Sequence, residues 1–437
     1  MLSYTARRLI LLVPMAAGMV VVTFSLLLLI PGDPAAVLLG QEASEADIAQ
    51  LRATLGLDQP WYVRLGRYFA GLLQGDMGRS IFQNQSVSEI VVWSVIDSLP
   101  RLAPGAVVVM KSTVPVGTGE KVRAALDARG LTDVGYVSCP EFLAEGTALR
   151  DFLEADRVVI GAFDEADADA IEALHERIDA PVARMDVASA EMVKLAANAF
   201  LAMRISFINE IANVCELVGA DVEAVAHGMG LDSRIGTRYL RAGLGYGGSC
   251  YPKDTSFLKL LAGNSGYNFQ LVNAVIQVNE LQMRRPVAKL QRHLGQLRGK
   301  RVALLGLAFK PGTDDLREAP SIVLASRLLA EGAEVVAWDP VADASEILHG
   351  VEIARTALEA MRGADAVVVV TEWSELSDLP WEQARTLMRN ALVIDGRNHL
   401  DPEAMRALGF VYEGVGRAAS PFATLPETQE RETELQP

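Results

Sequence analysis

Gly243-Leu-Gly-Tyr-Gly-Gly-Ser-Cys-Tyr-Pro-Lys-Asp254 places a single cysteine between a glycine-rich run and a proline. Proline fixes φ and lacks an N–H, which suits the first turn of a helix, so a helix is expected to begin at Pro252. Cys250 then lies just outside that helix's N-terminus, where unpaired N–H groups and the macrodipole favour an anion. With Lys253 beside it, this setting favours the thiolate, the nucleophilic form. Asp254 faces the same site from the first helical turn. A free cysteine is more often a buried, inert side chain, but the glycines and the Pro-Lys-Asp sequel favour the reactive reading. Gly243, Gly245 and Gly248 formally match G-x-G-x-x-G, yet no apolar strand precedes them as a dinucleotide fingerprint requires.

The 437 residues leave room for two to four domains, and half of them are hydrophobic, enough for a sizeable core. A net charge of −15 argues against a nucleic-acid partner. Three widely spaced cysteines, Cys139, Cys215 and Cys250, suggest neither a disulfide framework nor a zinc site, and five scattered histidines offer no metal-ligand pair.

From about residue 92 the chain alternates apolar strands with helices. Strands are expected at 106–110, 134–138 and 157–162, with helices ending near Arg129 and spanning 164–178. This alternation implies a parallel sheet with ligands at the strand C-terminal ends. The loops Lys111-Ser-Thr-Val-Pro-Val-Gly-Thr118 and Cys139-Pro-Glu-Phe-Leu-Ala-Glu-Gly-Thr147 both follow strands and fall where a ligand would sit. A long helix is expected over 189–218. On it Glu191, Lys194 and Asn198 share one face, yet their flanks are too apolar for an exposed stripe. They read as polar groups held inside, which need partners. A semi-buried lysine suits proton transfer or an oxyanion, and an asparagine donates a fixed hydrogen bond. Another long helix is expected over 269–293. A second α/β unit starts at Gly299, with strands at 301–307, 334–338, 364–370 and 391–395 and a helix over 322–331.

Gly-Gly-Ser-Cys250-Tyr-Pro-Lys-Asp resembles the catalytic signature of the UDP-glucose/GDP-mannose dehydrogenase family. Three further stretches carry the same resemblance: Glu191-x-x-Lys194-Leu-Ala-Ala-Asn198, Gly306-x-x-Phe309-Lys310-x-x-Thr-Asp-Asp-x-Arg317, and Asp395-Gly-Arg397-Asn. The resemblance covers residues 92–418. It implies oxidation of UDP-glucose to UDP-glucuronate by two hydride transfers to NAD. Cys250 would form a thiohemiacetal and then a thioester. Lys194 and Asn198 would stabilise the oxyanion, Asp254 would manage protons, and Thr113 and Glu141 would position the hydrolytic water. Arg234, Tyr239, Arg241, Tyr246, Phe309, Lys310 and Arg397 would meet the sugar nucleotide. Glu145, Lys253 and Arg317 would lie at the cofactor. The long central helices suggest a homodimer, as in the family. Family members open with a strand and a true G-x-G-x-x-G that cradles the NAD pyrophosphate, and such a segment is not found here.

The first ninety residues differ in character. Arg7-Arg8 precedes an uncharged apolar run, 9–30, and roughly 22 such residues span a hydrocarbon core. The basic pair would hold the N-terminus in the cytoplasm. A signal peptide also begins with basic residues, but this run is too long for one, and Pro31-Gly-Asp-Pro34 is no cleavage site. Tyr4-x-x-Arg7-Arg8-Leu, Ile30-Pro-Gly-Asp-Pro34, Leu55-Gly-Leu-Asp58 and Gly75-Asp-Met-Gly-Arg-Ser80 resemble the N-terminus of peptide ABC-transporter permease subunits. The expected organisation is therefore a permease-like segment (1–90) with one transmembrane helix, then a truncated Rossmann-like NAD-binding domain (92–186). A central long-helix domain (187–295), a second Rossmann-like UDP-binding domain (299–418) and a disordered tail (419–437) follow. The alternative reading is a non-catalytic, inner-membrane-tethered chain that binds UDP-sugar or pairs with a dehydrogenase, or a permease/dehydrogenase fusion remnant.

Overall fold

The computed structural model describes residues 105–417 together with Trp93, Ile96, Leu102 and Ala103. The expected membrane helix, the rest of the permease-like segment and the expected disordered tail lie outside the described residues. Contacts divide the chain into two units, 1–108 with 120–135, and 109–119 with 136–437.

In the first unit the described structure is the body of helix α1 (Thr118–Ala128) and the chain that returns from it. Val122, Leu126 and Val134 are buried. Arg123 ties the helix end down, pairing with Asp127 at 2.8 Å and donating to the carbonyls of Leu131 and Val134.

The first sheet is short, with strand order β1 (Val107–Met110), β2 (Gly135–Ser138), β3 (Val158–Ala162) and β4 (Val182–Met185). Bonds from Gly135 N to Ala106 O and from Cys139 N to Met110 O advance by the same step along both strands, so β1 and β2 run parallel. β3 pairs antiparallel to β2 and parallel to β4. The expected all-parallel sheet is thus corrected at its centre. The intervening helix α2 (Ala148–Leu153) buries no residue, so it does not act as a crossover packed on the sheet. Helix α3 (Glu165–Leu174) does, through Ala168 and Ile171, and β4 accordingly returns parallel.

Helix α4 (Val187–Val218) is the spine of the second unit. Its 32 residues start at Asp186, whose carboxylate accepts from Ser189 N, and stop at left-handed Gly219. By length and composition it could cross a membrane. It also buries Glu191, Lys194, Asn198, Ser206 and Asn209, which fits the core of a folded domain better than contact with lipid. Helices α5 (Val222–Gly230), α6 (Tyr251–Asn264), α7 (Gln270–Gln282) and α8 (Arg285–Leu294) follow. The single helix expected over 269–293 is two helices. Pro286 has no backbone N–H to continue the ladder, and it sits in the first turn of a new helix that starts at Arg285.

The second sheet contains β5 (Arg301–Leu305), β6 (Glu334–Trp338), β7 (Val351–Ile353), β8 (Ala366–Val369), β9 (Leu392–Asp395) and β10 (Val411–Glu413). Its order is β10-β9-β8-β5-β6-β7, with every pair parallel. This is a doubly wound sheet whose strand order reverses between β5 and β8, the crevice where such sheets bind ligands. Helices α9 (Pro320–Ala330), α10 (Ala357–Met361), α11 (Trp381–Leu387) and α12 (Pro402–Ala407) complete it. Its strands read as near-continuous apolar runs, as expected for a sheet covered on both faces. Gly306 leaves β5 at φ +94, and a Cβ there would lie 2.4 Å from that of Thr371. Only glycine lets the β5 loop cross beside the end of β8.

Candidate active site

Cys250 is the N-cap of α6, which begins at Tyr251, one residue before the expected start. The backbone N–H of Asp254 donates to the Cys250 carbonyl at 2.9 Å, closing the first turn. The thiol is exposed, whereas Cys139 and Cys215 are buried. Burial, with Asp221 and Glu216 adding, pushes the Cys215 thiol up and away from the nucleophilic thiolate. Ser249 Oγ lies 3.7 Å from the Cys250 sulfur.

Behind the thiol, Asp254 is buried and accepts a 2.6 Å hydrogen bond from Asn198 Nδ2. Lys253 reaches the other oxygen of Asp254 at 3.5 Å. One turn earlier on α4, buried Lys194 pairs with Glu141 at 3.1 Å and lies over the Phe142 ring. Glu141 also accepts from Leu143 N at 2.6 Å. The loop after β2 and the helices α4 and α6 therefore supply a thiol, a lysine–glutamate pair and an asparagine–aspartate pair. Those are the parts of a covalent site with an oxyanion pocket. Thr113 is half-buried on the β1 loop. A cavity of about 590 Å³ opens beside these loops, with Lys111, Glu141, Phe142, Arg157, Arg238 and Tyr239 in its wall. Cys250 is not in that wall, so the cavity adjoins the reacting groups without enclosing them.

The second sheet meets the cysteine loop at its switch point. Arg397, just past β9, donates to the carbonyls of Val370 (2.7 Å), Gly245 (3.1 Å) and Phe309 (3.4 Å), and its Nε lies 3.4 Å from Glu372. The Phe309 ring lies under Gly248. Lys310 donates to the Glu145 carbonyl at 2.5 Å, and Thr313 donates to the Glu145 carboxylate. Arg317 forks onto Asp315 at 2.9 and 2.8 Å while its carbonyl accepts from Gly248 N.

Some expected contacts are turned elsewhere. Tyr246, expected against the base or sugar, is buried with Ala202 and Val275, and burial pushes its phenol up to about 12. The Arg397 guanidinium is spent on three carbonyls of its own chain. Arg234 is exposed and held by Asp232 at 2.6 Å, Arg241 is exposed, and Tyr239 sits at φ +62 with its hydroxyl accepting from Tyr251. The residues that grip the cysteine loop from behind, Asn209, Asn279 and Gln282, were not anticipated. As isolated amides on helices, they carry no motif that would have found them.

Lys253 and Arg317 offer the positive charge an anionic cofactor needs beside Cys250. The N-terminus of α1, which follows β1, is closed by the chain itself: Gly117 N and Gly119 N both donate to the Glu191 carboxylate at 2.7 Å. A pyrophosphate is not accommodated at that turn.

Family models of the UDP-glucose/GDP-mannose dehydrogenases match three stretches. The NAD binding domain matches residues 84–179, the central domain 188–281 and the UDP binding domain 303–402. The model for the N-terminal part of binding-protein-dependent transport system membrane components matches residues 1–95. Over 334 residues the chain is 47% identical to UDP-glucose 6-dehydrogenase YwqF of Bacillus subtilis, covering 74% of this chain and 76% of that protein. It is 45% identical over 338 residues to a UDP-glucose 6-dehydrogenase of Pseudomonas aeruginosa, covering 72% and 74%. Among solved structures it resembles a UDP-glucose dehydrogenase of Pyrobaculum islandicum, with TM-score 0.64, 39% identity and 71% of each chain covered. It also resembles a UDP-D-ManNAc dehydrogenase of Pyrococcus horikoshii, with TM-score 0.67, 27% identity and 76% and 77% covered. The expected fold, Rossmann-like sheets around a long central helix, is borne out, and so are both resemblances.

Proposed function

Because the chain belongs to the UDP-glucose/GDP-mannose dehydrogenase family, whose members are NAD-dependent oxidoreductases, we propose that it oxidises UDP-glucose to UDP-glucuronate through a covalent intermediate on Cys250. The observation that carries this reading is the exposed Cys250 at the N-terminus of α6, backed by the Asn198–Asp254 and Lys194–Glu141 pairs. NAD supplies the hydride acceptor when bound, with Lys253, Arg317 and Glu145 as the residues that would hold it. The Cys250 thiolate adds to the C6 aldehyde, forming a C–S bond as the carbonyl becomes an alkoxide. Lys194 and the Asn198 amide stabilise that charge, and the buried Asp254 carboxylate keeps the amide aimed. Once the thiohemiacetal has become a thioester, water held by Thr113 and Glu141 attacks the acyl carbon. The C–S bond breaks, the thiolate leaves, and the water oxygen remains in the new carboxylate. Phe309, Lys310 and the basic segment carrying Arg234, Tyr239 and Arg241 meet the sugar nucleotide, while Arg397 and Tyr246 shape its floor from inside.

The test is NADH release by the purified full chain given NAD⁺ and UDP-glucose, with Cys250→Ala alongside. Two NADH per sugar, lost in the variant, is the expected result. Equal turnover in the variant would remove Cys250 from the mechanism.

The assembly we propose is a homodimer. Phe200, Phe207, Val214 and Val218 recur at helical spacing along α4 and are 54%, 45%, 52% and 70% exposed, a stripe that a second copy would cover. Phe207→Glu should yield monomers by light scattering. We also propose that residues 9–30 tether the chain to the inner membrane, which predicts that the full chain sediments with membranes and a 92–437 version does not. The second reading, a UDP-sugar binder without turnover, is favoured by the Glu191 closure of the α1 turn. UDP-glucose binding without NAD binding, by calorimetry, would select it.

A further inference from the structure

We propose that Asn279 is the positioning residue for Cys250. The loop Gly243–Gly248 that leads to the thiol lies outside the strands, and both backbone polar groups of Gly243 and of Tyr246 are paired with side chains. Asn279 Oδ1 accepts from Tyr246 N at 2.8 Å and Asn279 Nδ2 donates to Tyr246 O at 3.0 Å. One amide thus pairs with both polar groups of one residue, as a neighbouring strand would. Asn209 and Gln282 treat Gly243 alike, accepting from its N–H and donating to its C=O, each at 2.8 Å. Asn279 is the member of this clasp closest in sequence to the thiol.

Two further features make the contact specific. Asn279 is buried on the same face of α7 as Val272, Val275 and Gln282, so its position is set by helix packing. Gly245 sits at φ +93, and a Cβ there would lie 2.5 Å from Asn279 Oδ1, so the loop reaches the amide only because residue 245 lacks a side chain. From Tyr246 the constraint passes on through its ring, which packs edge-on against Tyr251 at 5.9 Å. Tyr251 is the first residue of α6, and Cys250 is its cap. Asn279 touches neither the thiol nor the substrate. It holds the segment that aims the thiol at the helix N-terminus.

The role in turnover rests on the proposed function, so the primary readout is independent of turnover. In the full chain, the rate of Cys250 alkylation by iodoacetamide is followed against pH, with the site confirmed by peptide mass. Asn279→Ala should lower that rate severalfold and displace its pH profile, because the thiol loses its fixed place at the helix end. In turnover, kcat should fall by up to about 100-fold with KM for UDP-glucose little changed, as expected for misplacement of a reacting group. Asn273→Ala removes a different amide of the same helix, one that bonds Asn268, and should leave the alkylation profile unaltered. Should Asn279→Ala not fold, Asn279→Asp keeps the acceptor for Tyr246 N–H and loses only the donor, and an intermediate alkylation profile is expected. An unaltered profile in a folded Asn279 variant overturns the proposal. A shifted profile in a chain that does not oxidise UDP-glucose upholds it while removing the proposed function.

Discussion

The two sheets of this protein are built to different standards of closure. In the second, β8 and β9 are buried along their whole length, and β5 and β6 except at their first residues. In the first, β1 is half-exposed at three of its four positions and β4 is buried at none. The second sheet carries its own core on both faces. In the first, only the inner strands β2 and β3 are buried, and polar contacts at its loops add to them: the Glu191 carboxylate on Gly117 and Gly119, and the Lys194–Glu141 pair. The second sheet is closed over by its own apolar core, and the first keeps open outer strands beside loops that carry paired charges.

Truncating one side chain in each sheet should separate the two. Leu304→Ala on β5 should cost about 3 kcal/mol or more, since the side chain is fully buried. Val109→Ala on β1 should cost about 1 kcal/mol or less. Equal shifts in urea midpoints would erase the distinction. An effect between these, about 2 kcal/mol, is expected for Glu191→Ala, which takes the acceptor from the buried Gly119 N–H and the part-buried Gly117 N–H. Glu191→Gln should recover part of it, because the amide oxygen still accepts one bond. If Glu191→Ala is neutral, these loop contacts add nothing to the first sheet.

Solvent conditions sharpen the contrast further. Burial opposes ionisation of Glu413, but Lys289, His293 and Arg292 outweigh it and hold the carboxyl below its ordinary value. A depressed folded value means that this contribution is present above the unfolded carboxyl value, about 4.3, and is lost as the pH falls through the folded one. Acid titration of stability should therefore be less steep in Glu413→Gln. The smallest signal is spectroscopic. Tyr246, raised to about 12, should ionise after the exposed tyrosines in an alkaline absorbance titration. Stability should fall as the pH rises from about 10 towards that value. A Tyr246 that ionises with the exposed tyrosines would place it on the surface.

Much of this was legible because the decisive chemistry is local. Cys250, Pro252 and Asp254 share one turn, and Glu191, Lys194 and Asn198 share one helix face, so helical spacing alone brings them together. What could not be read depends on contacts between distant segments. The antiparallel turn of β3 accompanies an α2 that buries no residue, which six residues do not announce. β4, β7 and β10 are three or four residues long and too brief to show a period. Arg397 and Tyr246 carry the right chemistry for a ligand but point inward, because Gly245 O and the core at Val275 lie within their reach. Exposure of a side chain is decided by the neighbouring segment, and no motif records it.

Helix α4 touches nearly every part of the second unit along its length. Glu191 holds the α1 turn, Lys194 and Asn198 reach Glu141 and Asp254, and Asn209 holds Gly243. Near its end Glu216 accepts from Lys289 and from Gly416 N. Each inserted or deleted residue would turn everything beyond it by about 100° and shift it by about 1.5 Å. The helix is therefore a ruler with several marks. In the evolution of this chain, a change in the length of α4 between Glu191 and Glu216 should be purged.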